Sequence, residues 1–156
     1  MPRLHILVGS ALGGATTTTL QAILVFVISL FFGFSPHQWY VLPVALLVAA
    51  FFGFAMVCFS AGLASIVNDF QGFQTVNQFL VFPLFFLSGA LFPLDFAPLA
   101  LKSIAAINPV AYAVDAMRTI LIGQSHFGLP VDLQVIAATV ILLVGFGVYT
   151  FRRLES

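Results

Sequence analysis

Few side chains in this sequence could carry chemistry, and their spacing does not group them into a catalytic or metal site. The three histidines, His5, His37 and His126, are far apart and lack the close spacing of metal ligands. The only lysine, Lys102, does not end the glycine-rich loop that would cradle a nucleotide phosphate. No serine, histidine and acid group as a nucleophile with its base. We expect no catalytic residue, no metal site and no cofactor bound by this chain.

A row of three glutamine side chains is the first group of residues that could have a function. Gln71, Gln74 and Gln78 are spaced to share one face of a helix. They could form a polar track that lines the path of an amphipathic solute. Alternatively, the first turns of this helix lie among lipid headgroups, where amide groups are well solvated. Both interpretations remain open for the three glutamines, and Gln78 is the deepest of them.

A second group consists of one acid and one base. Asp115 and Arg118 are three residues apart, a spacing that brings side chains together on a helix. One interpretation is a local ion pair that lets the helix lie at the membrane interface. The other is an outer gate or a contact with solute.

The elements that position these residues are predicted from composition. Of 156 residues, 62% are hydrophobic and 6% are charged, against about 25% charged in soluble domains. No charged residue occurs between Arg3 and Asp69, a stretch long enough for two membrane crossings of about 20 residues each. The chain is therefore predicted to be an all-α, polytopic membrane protein. Its net charge of zero argues against a nucleic-acid partner.

Four stretches are long and apolar enough to be predicted as spans of one membrane domain, at about 15–34, 41–66, 72–92 and 132–151. The first opens with four threonines, Thr16 to Thr19, whose hydroxyls can bond back to the preceding turn.

Two shorter helices are predicted between the third and fourth spans. The first, about 97–107, follows Asp95 and begins near Pro98. Asn108-Pro109 is a strong signal for the start of the second, about 109–122, and Gly123 can end it. Both are too short to cross a bilayer of about 30 Å. We expect them to be re-entrant or interfacial.

Positive charge near the ends of the spans predicts the orientation. Arg3 precedes the first span, and Arg152 and Arg153 close the fourth. With four spans both termini share one side, which the positive-inside rule assigns to the cytoplasm. The segment that holds Lys102 and Arg118 then faces outward.

Two neighbouring motifs resemble those of a known family. The stretch FPLFFLSGALFP at 82–93 resembles the fifth span of type-2 ABC exporter permeases, which include drug-resistance, polysaccharide and nodulation-factor export subunits. The pattern NPxxYxxDxxR then resembles the family's signature between its fifth and sixth spans. Its residues here are Asn108, Pro109, Tyr112, Asp115 and Arg118.

The resemblance implies a permease of the plasma (inner) membrane with six spans per half, driven by a cytoplasmic ATPase subunit that binds the ATP. A second permease half, forming a homodimer if it is identical, would enclose the path of an exported solute that the sequence does not identify. Pro83, Gly89 and Pro93 would shape the outer end of the fifth span, and the signature residues would build the re-entrant element. All would be structural or gating positions.

The number of predicted spans leaves several interpretations of the chain open. Four predicted spans against six in the family imply the C-terminal part of a longer permease or a truncated gene product. Outside the family, the chain could be a stand-alone four-span carrier driven by a proton gradient. Such a carrier usually needs an acidic residue within a span, and none is predicted mid-span. The chain could also be a non-transporting membrane anchor or assembly subunit.

Overall fold

The computed structural model describes residues 3–67, 69–92 and 97–153. Helices make up nearly all of this part of the chain, and no strand occurs in it. The helices are α1 (Arg3–Phe31), α2 (Leu42–Ile66), α3 (Phe70–Phe86), α4 (Leu99–Ile107), α5 (Pro109–Ile122) and α6 (Leu129–Arg153). A single 3-10 turn at Trp39–Val41 leads into α2. The prediction of an all-α membrane protein is confirmed.

Three of the described helices are long and apolar enough to cross a membrane. They are Val8–Phe31 in α1, Trp39–Ile66 including α2, and Leu129–Thr150 in α6. The stretch predicted as the third span forms α3, whose 17 residues lie at the lower limit of about 17–25 for a crossing. That α3 spans the membrane stays a prediction.

Several helix boundaries differ from those predicted. α1 begins at Arg3 instead of 15 because its glycine-containing start has no proline to interrupt it. The four threonine hydroxyls donate to carbonyls four residues earlier at 2.8–3.0 Å, as predicted. α3 ends at Phe86 instead of 92 because a turn at Gly89, with φ of 78°, breaks the helix. α4 begins at Leu99 because Pro98 has an extended ψ of 153°.

Small residues bring α1, α2 and α6 into close contact. A side-chain carbon added at Gly53 would lie 2.9 Å from Cβ of Thr18 in α1. One added at Gly147 would lie 2.6 Å from the carbonyl oxygen of Cys58 in α2. Such close backbone approach is characteristic of membrane helix packing. These three helices form the body of the bundle, and α2 packs extensively against both of the others.

The α1–α2 connection, the turn after α3 and the last turns of α5 meet at one end of this bundle. The backbone N–H of His37, between α1 and α2, donates to the carbonyl of Leu121 near the end of α5 at 2.9 Å. The guanidinium of Arg118 in α5 reaches the turn that follows α3. We call this end, which carries residues 32–41, 87–92 and 97–128, the loop end. The start of α3 and the end of α2 lie at the opposite end.

Candidate gating site at the loop end

Asn108 connects the start of α5 to the end of α3. Its Oδ1 accepts a hydrogen bond from the backbone N–H of Val110 at 3.0 Å, which confirms it as the helix cap. Its Nδ2 donates to the carbonyl oxygen of Leu84 at 2.6 Å. That carbonyl belongs to the last turn of α3, where helix geometry leaves carbonyls without intrahelical donors. Pro109 occupies the first turn, where its missing N–H costs nothing.

Arg118 holds the turn that follows α3. Pro83 lies inside α3, and its carbonyl accepts from the N–H of Leu87 at 2.9 Å as the helix ends. Gly89 then takes a positive φ, a conformation that favours glycine. Nη2 of Arg118 donates to the Gly89 carbonyl at 2.9 Å. Pro83 and Gly89 thus shape the end of α3, and Arg118 fixes it to α5. Pro93, the third residue predicted there, lies outside the described residues.

Tyr112 connects α5 to α4 and to the segment before α6. Its hydroxyl donates to the carbonyl of Ala106, in the last turn of α4, at 2.7 Å. Its ring packs against that of Phe127, with centroids 4.6 Å apart. One side chain thus contacts the segments on both sides of α5.

Asp115 organises the connection between α5 and α6. It is 2% exposed, and its carboxylate accepts from the backbone N–H groups of His126 and Phe127 at 2.8–3.0 Å. The hydroxyl of Ser125 adds a longer contact at 3.4 Å. Because Asp115 and Arg118 bind these separate partners, the interpretation of a local ion pair between them was wrong. Each connects α5 to a different segment.

The four polar signature side chains share one face of α5. They follow one another at intervals of four, three and three residues, which keeps them aligned along a helix. From that face they contact the end of α3, the end of α4 and the connection to α6. The geometry suits a gating element, because a displacement of α5 would move the end of α3, the end of α4 and the connection to α6 with it.

Asp132 is a residue that the sequence analysis did not single out. It lies in the first turns of α6 and is fully buried. Within the described part of the chain, neither carboxylate oxygen has a hydrogen-bond partner. Because this burial comes from the packing of α6 against α2 and α5, no spacing rule within one helix could have predicted it.

Comparison with known proteins adds to this geometry. Residues 1–122, most of the described bundle, match the profile of the ABC-2 type transporter family. The chain belongs to the ABC-2 type transporter family. The resemblance seen in the motifs is therefore confirmed.

Individual relatives agree with this family. Nodulation protein J of Rhizobium leguminosarum bv. viciae is 30% identical over 119 residues, covering 76% of this chain and 45% of that protein. The inner membrane transport permease YadH of Escherichia coli K12 is 29% identical over 147 residues, covering 91% of this chain and 54% of that protein. The chain thus spans about half the length of these curated relatives. No solved structure matches it significantly.

The row of glutamines in this ABC-2 type transporter chain lies on the surface of α3. Gln71, Gln74 and Gln78 are all exposed. A cavity of about 800 Å³ opens instead on another face of α3, where it is lined by Phe73, Asn77 and Val81 together with residues of α1, α2 and α5. Within the described residues the cavity wall is almost entirely apolar. A pathway role for the three glutamines stays a prediction.

Proposed function

We propose that this chain is a permease part of an ATP-driven exporter and forms part of the path of a solute across the inner membrane. The family match over residues 1–122 is the observation that carries the proposal. One relative is an inner membrane transport permease, which supports the transport role. Another relative is named for nodulation, which leaves the class of solute open.

Two partners belong to the proposal. A cytoplasmic ATPase subunit binds and hydrolyses ATP, since this sequence has no phosphate-binding loop of its own. A second permease half, identical or related, faces the chain and completes the path. The exposed glutamines of α3 are candidates for that path.

In this proposal the loop end is the outer gate. Asn108 and Arg118 fix the end of α3 to α5, so the two helices move together there. α3 also borders the apolar cavity through Phe73, Asn77 and Val81. A conformational change driven by the ATPase could therefore widen or narrow the cavity while the contacts at the loop end persist.

Orientation in the membrane can be tested by cysteine labelling. The native Cys58, which is buried, is first replaced by alanine. Ser103→Cys places a thiol on the exposed face of α4, and Ser35→Cys places one between α1 and α2 at the same end. Gln71→Cys is the control at the opposite end. With both termini in the cytoplasm, an impermeant thiol reagent labels the first two in intact cells and Gln71→Cys only after permeabilisation. Labelling of Ser103→Cys only from the cytoplasmic side refutes the outer gate.

The ATPase partner is tested by purification of the full reading frame. A tagged protein extracted in mild detergent should retain an ATPase subunit, identified by mass spectrometry and by ATP hydrolysis in the purified sample. Cells that lack the tag provide the control for proteins that bind the resin. A sample that carries a different membrane enzyme and no ATPase favours the anchor or assembly role. A sample without either, which nonetheless transports solute along a proton gradient, favours the stand-alone carrier.

A further inference from the structure

The cavity of about 800 Å³ beside α3 extends along much of the length of α2. On α2 its lining runs from Val48, towards the loop end, to Ala64, close to the end of the helix. These two positions are about 24 Å apart along the helix axis, most of a hydrocarbon core about 30 Å thick. No charged residue occurs among the described residues that line it. The cavity therefore suits an elongated, uncharged ligand.

Two polar side chains of the cavity wall have no hydrogen-bond partner among the described residues. They are Ser60 in α2 and Asn77 in α3, and both are half-buried. Thr18 in the same wall differs, because its hydroxyl donates to the carbonyl of Gly14 at 2.9 Å. Polar groups within a membrane are costly unless they find a partner. Ser60 and Asn77 can each donate a hydrogen bond to a ligand in the cavity.

Ser60 and Asn77 lie at a similar depth in the bundle. α2 ends and α3 begins at the same end, and by helix rise each residue is about 10 Å from that end. The span Trp39–Ile66 has 28 residues, and its length of about 42 Å matches a bilayer with its headgroup regions. Each headgroup region takes up about 5–8 Å of that thickness. The two polar groups therefore lie just inside the hydrocarbon core, where acyl chains join the headgroups of lipids.

The cavity continues from this polar level towards the loop end. Between Ser60 and Val48, α2 rises about 18 Å, slightly more than the hydrocarbon half of one leaflet, about 15 Å. Met56 of α2 and Met117 of α5 line the cavity, and such unbranched side chains adapt to flexible ligands. A single acyl chain that begins at the polar level would thus lie against apolar side chains over its whole length.

We propose that the cavity binds one acyl chain of a membrane lipid, whose ester carbonyl accepts hydrogen bonds from Ser60 and Asn77. The lipid belongs to the leaflet on the side where α3 begins, and its headgroup stays at the membrane surface. A membrane helix of a second copy would not satisfy the two donors, because its backbone carbonyls are bonded within the helix. The bound chain supports α3 against α2. The proposal depends on neither the solute nor the ATPase partner.

The role of the carbonyl is tested by competition between two lipids. The full-length chain is placed in nanodiscs with equal amounts of a diacyl phosphatidylcholine and its dialkyl ether analogue, which has the same chains but no carbonyl. After extraction in mild detergent, mass spectrometry measures the lipid that stays bound. The wild type should retain the ester lipid with a preference of about fivefold or more. Equal retention of the two lipids by the wild type overturns the proposal, and this measurement needs no variant.

Matched variants assign this preference to the two donors. Ser60→Ala and Asn77→Leu, which removes the amide at similar size, should each lower the preference several-fold. Ser65→Ala is the control on the same helix, because its hydroxyl donates to the carbonyl of Gly62 and does not line the cavity. A preference that survives in both Ser60→Ala and Asn77→Leu overturns the assignment of the carbonyl to this site.

A photoreactive lipid tests the position of the chain. A phosphatidylcholine with a diazirine in the middle of one acyl chain should label peptides that contain Met56 or Met117. Ala61→Phe places a ring in the cavity and should remove most of this labelling, whereas Ala138→Phe, on an exposed face of α6, should retain it. Equal labelling in the wild type and Ala61→Phe overturns the proposal.

Other occupants are detected with a photoreactive methionine analogue incorporated in cells. Two of the three methionines, Met56 and Met117, line the cavity. Irradiation should join them to a membrane lipid, identified by the mass of the adduct. A cross-link to a second copy of the chain, or an adduct with an amphiphile that is not a membrane lipid, overturns the proposal and identifies the occupant.

Discussion

The side-chain amide of Asn108 joins two helix ends that are 24 residues apart in sequence. Its nitrogen donates to the carbonyl of Leu84 at the end of α3, while its oxygen caps the start of α5. Both partners are backbone groups that a helix terminus leaves without an internal partner. One residue thereby fixes the geometry between α3 and α5, and the two roles can be separated by substitution.

Two substitutions of Asn108 should separate its role as the cap of α5 from its contact with α3. Asn108→Ser retains a capping oxygen but is too short to reach Leu84, so we expect a loss of about 1 kcal/mol in unfolding free energy. Asn108→Ala removes both bonds and should cost about 2 kcal/mol. Chemical unfolding in a fixed detergent measures both values. Equal losses in the two variants would show that the contact to α3 contributes nothing.

Substitution of Arg118 should loosen the end of α3 without unfolding the bundle. Arg118→Gln loses the charged donor to the Gly89 carbonyl, a bond worth about 1.5 kcal/mol. Arg118→Lys keeps the charge but not the planar donor group and should have an intermediate effect. Hydrogen exchange of the Leu87 and Ser88 amides, which close the last turn of α3, reports the effect directly. Unchanged exchange in Arg118→Gln contradicts this role.

Two neighbouring glycines in α6 offer a matched test of the close packing with α2. The added methyl group of Gly147→Ala would lie 2.6 Å from the backbone oxygen of Cys58, so α2 and α6 must separate. We expect a loss of about 1–3 kcal/mol. At Gly145 nothing lies within 4 Å, and alanine should be neutral or stabilising by up to about 1 kcal/mol. The measurement is the thermal midpoint of the two variants under the same conditions. A similar shift in both would contradict the close packing of α6 against α2 at Gly147.

Local signals in the sequence predicted the elements of the site well. Asn108-Pro109 and Gly123 mark the ends of α5 because capping residues and left-handed glycines act over a few residues. The same local rules missed the early start of α1, because glycines in an apolar segment do not by themselves end a helix. The predicted third span ran to residue 92, past the end of α3 at Phe86, because membrane helices tolerate an internal proline and Pro83 therefore does not fix where the helix ends.

Tertiary contacts explain what the sequence could not show. The spacing of Asp115 and Arg118 favoured an ion pair, yet partners from other segments replaced it. The burial of Asp132 depends on how α6 packs against α5. Neither outcome is encoded within one helix, because each depends on groups brought together by folding.

α3 contributes no fully buried residue to the bundle, and its described side-chain hydrogen bonds to other helices are at its last turn and the turn after it. A helix of 17 residues is about 25 Å long. If its end stays fixed at Asn108 and Arg118, a tilt of about 10° would move Phe70 by about 4 Å but Phe86 hardly at all. A small change of angle at the loop end therefore produces a displacement that grows with distance along α3. The part of the cavity beside Phe73 would change width far more than the part beside Val81.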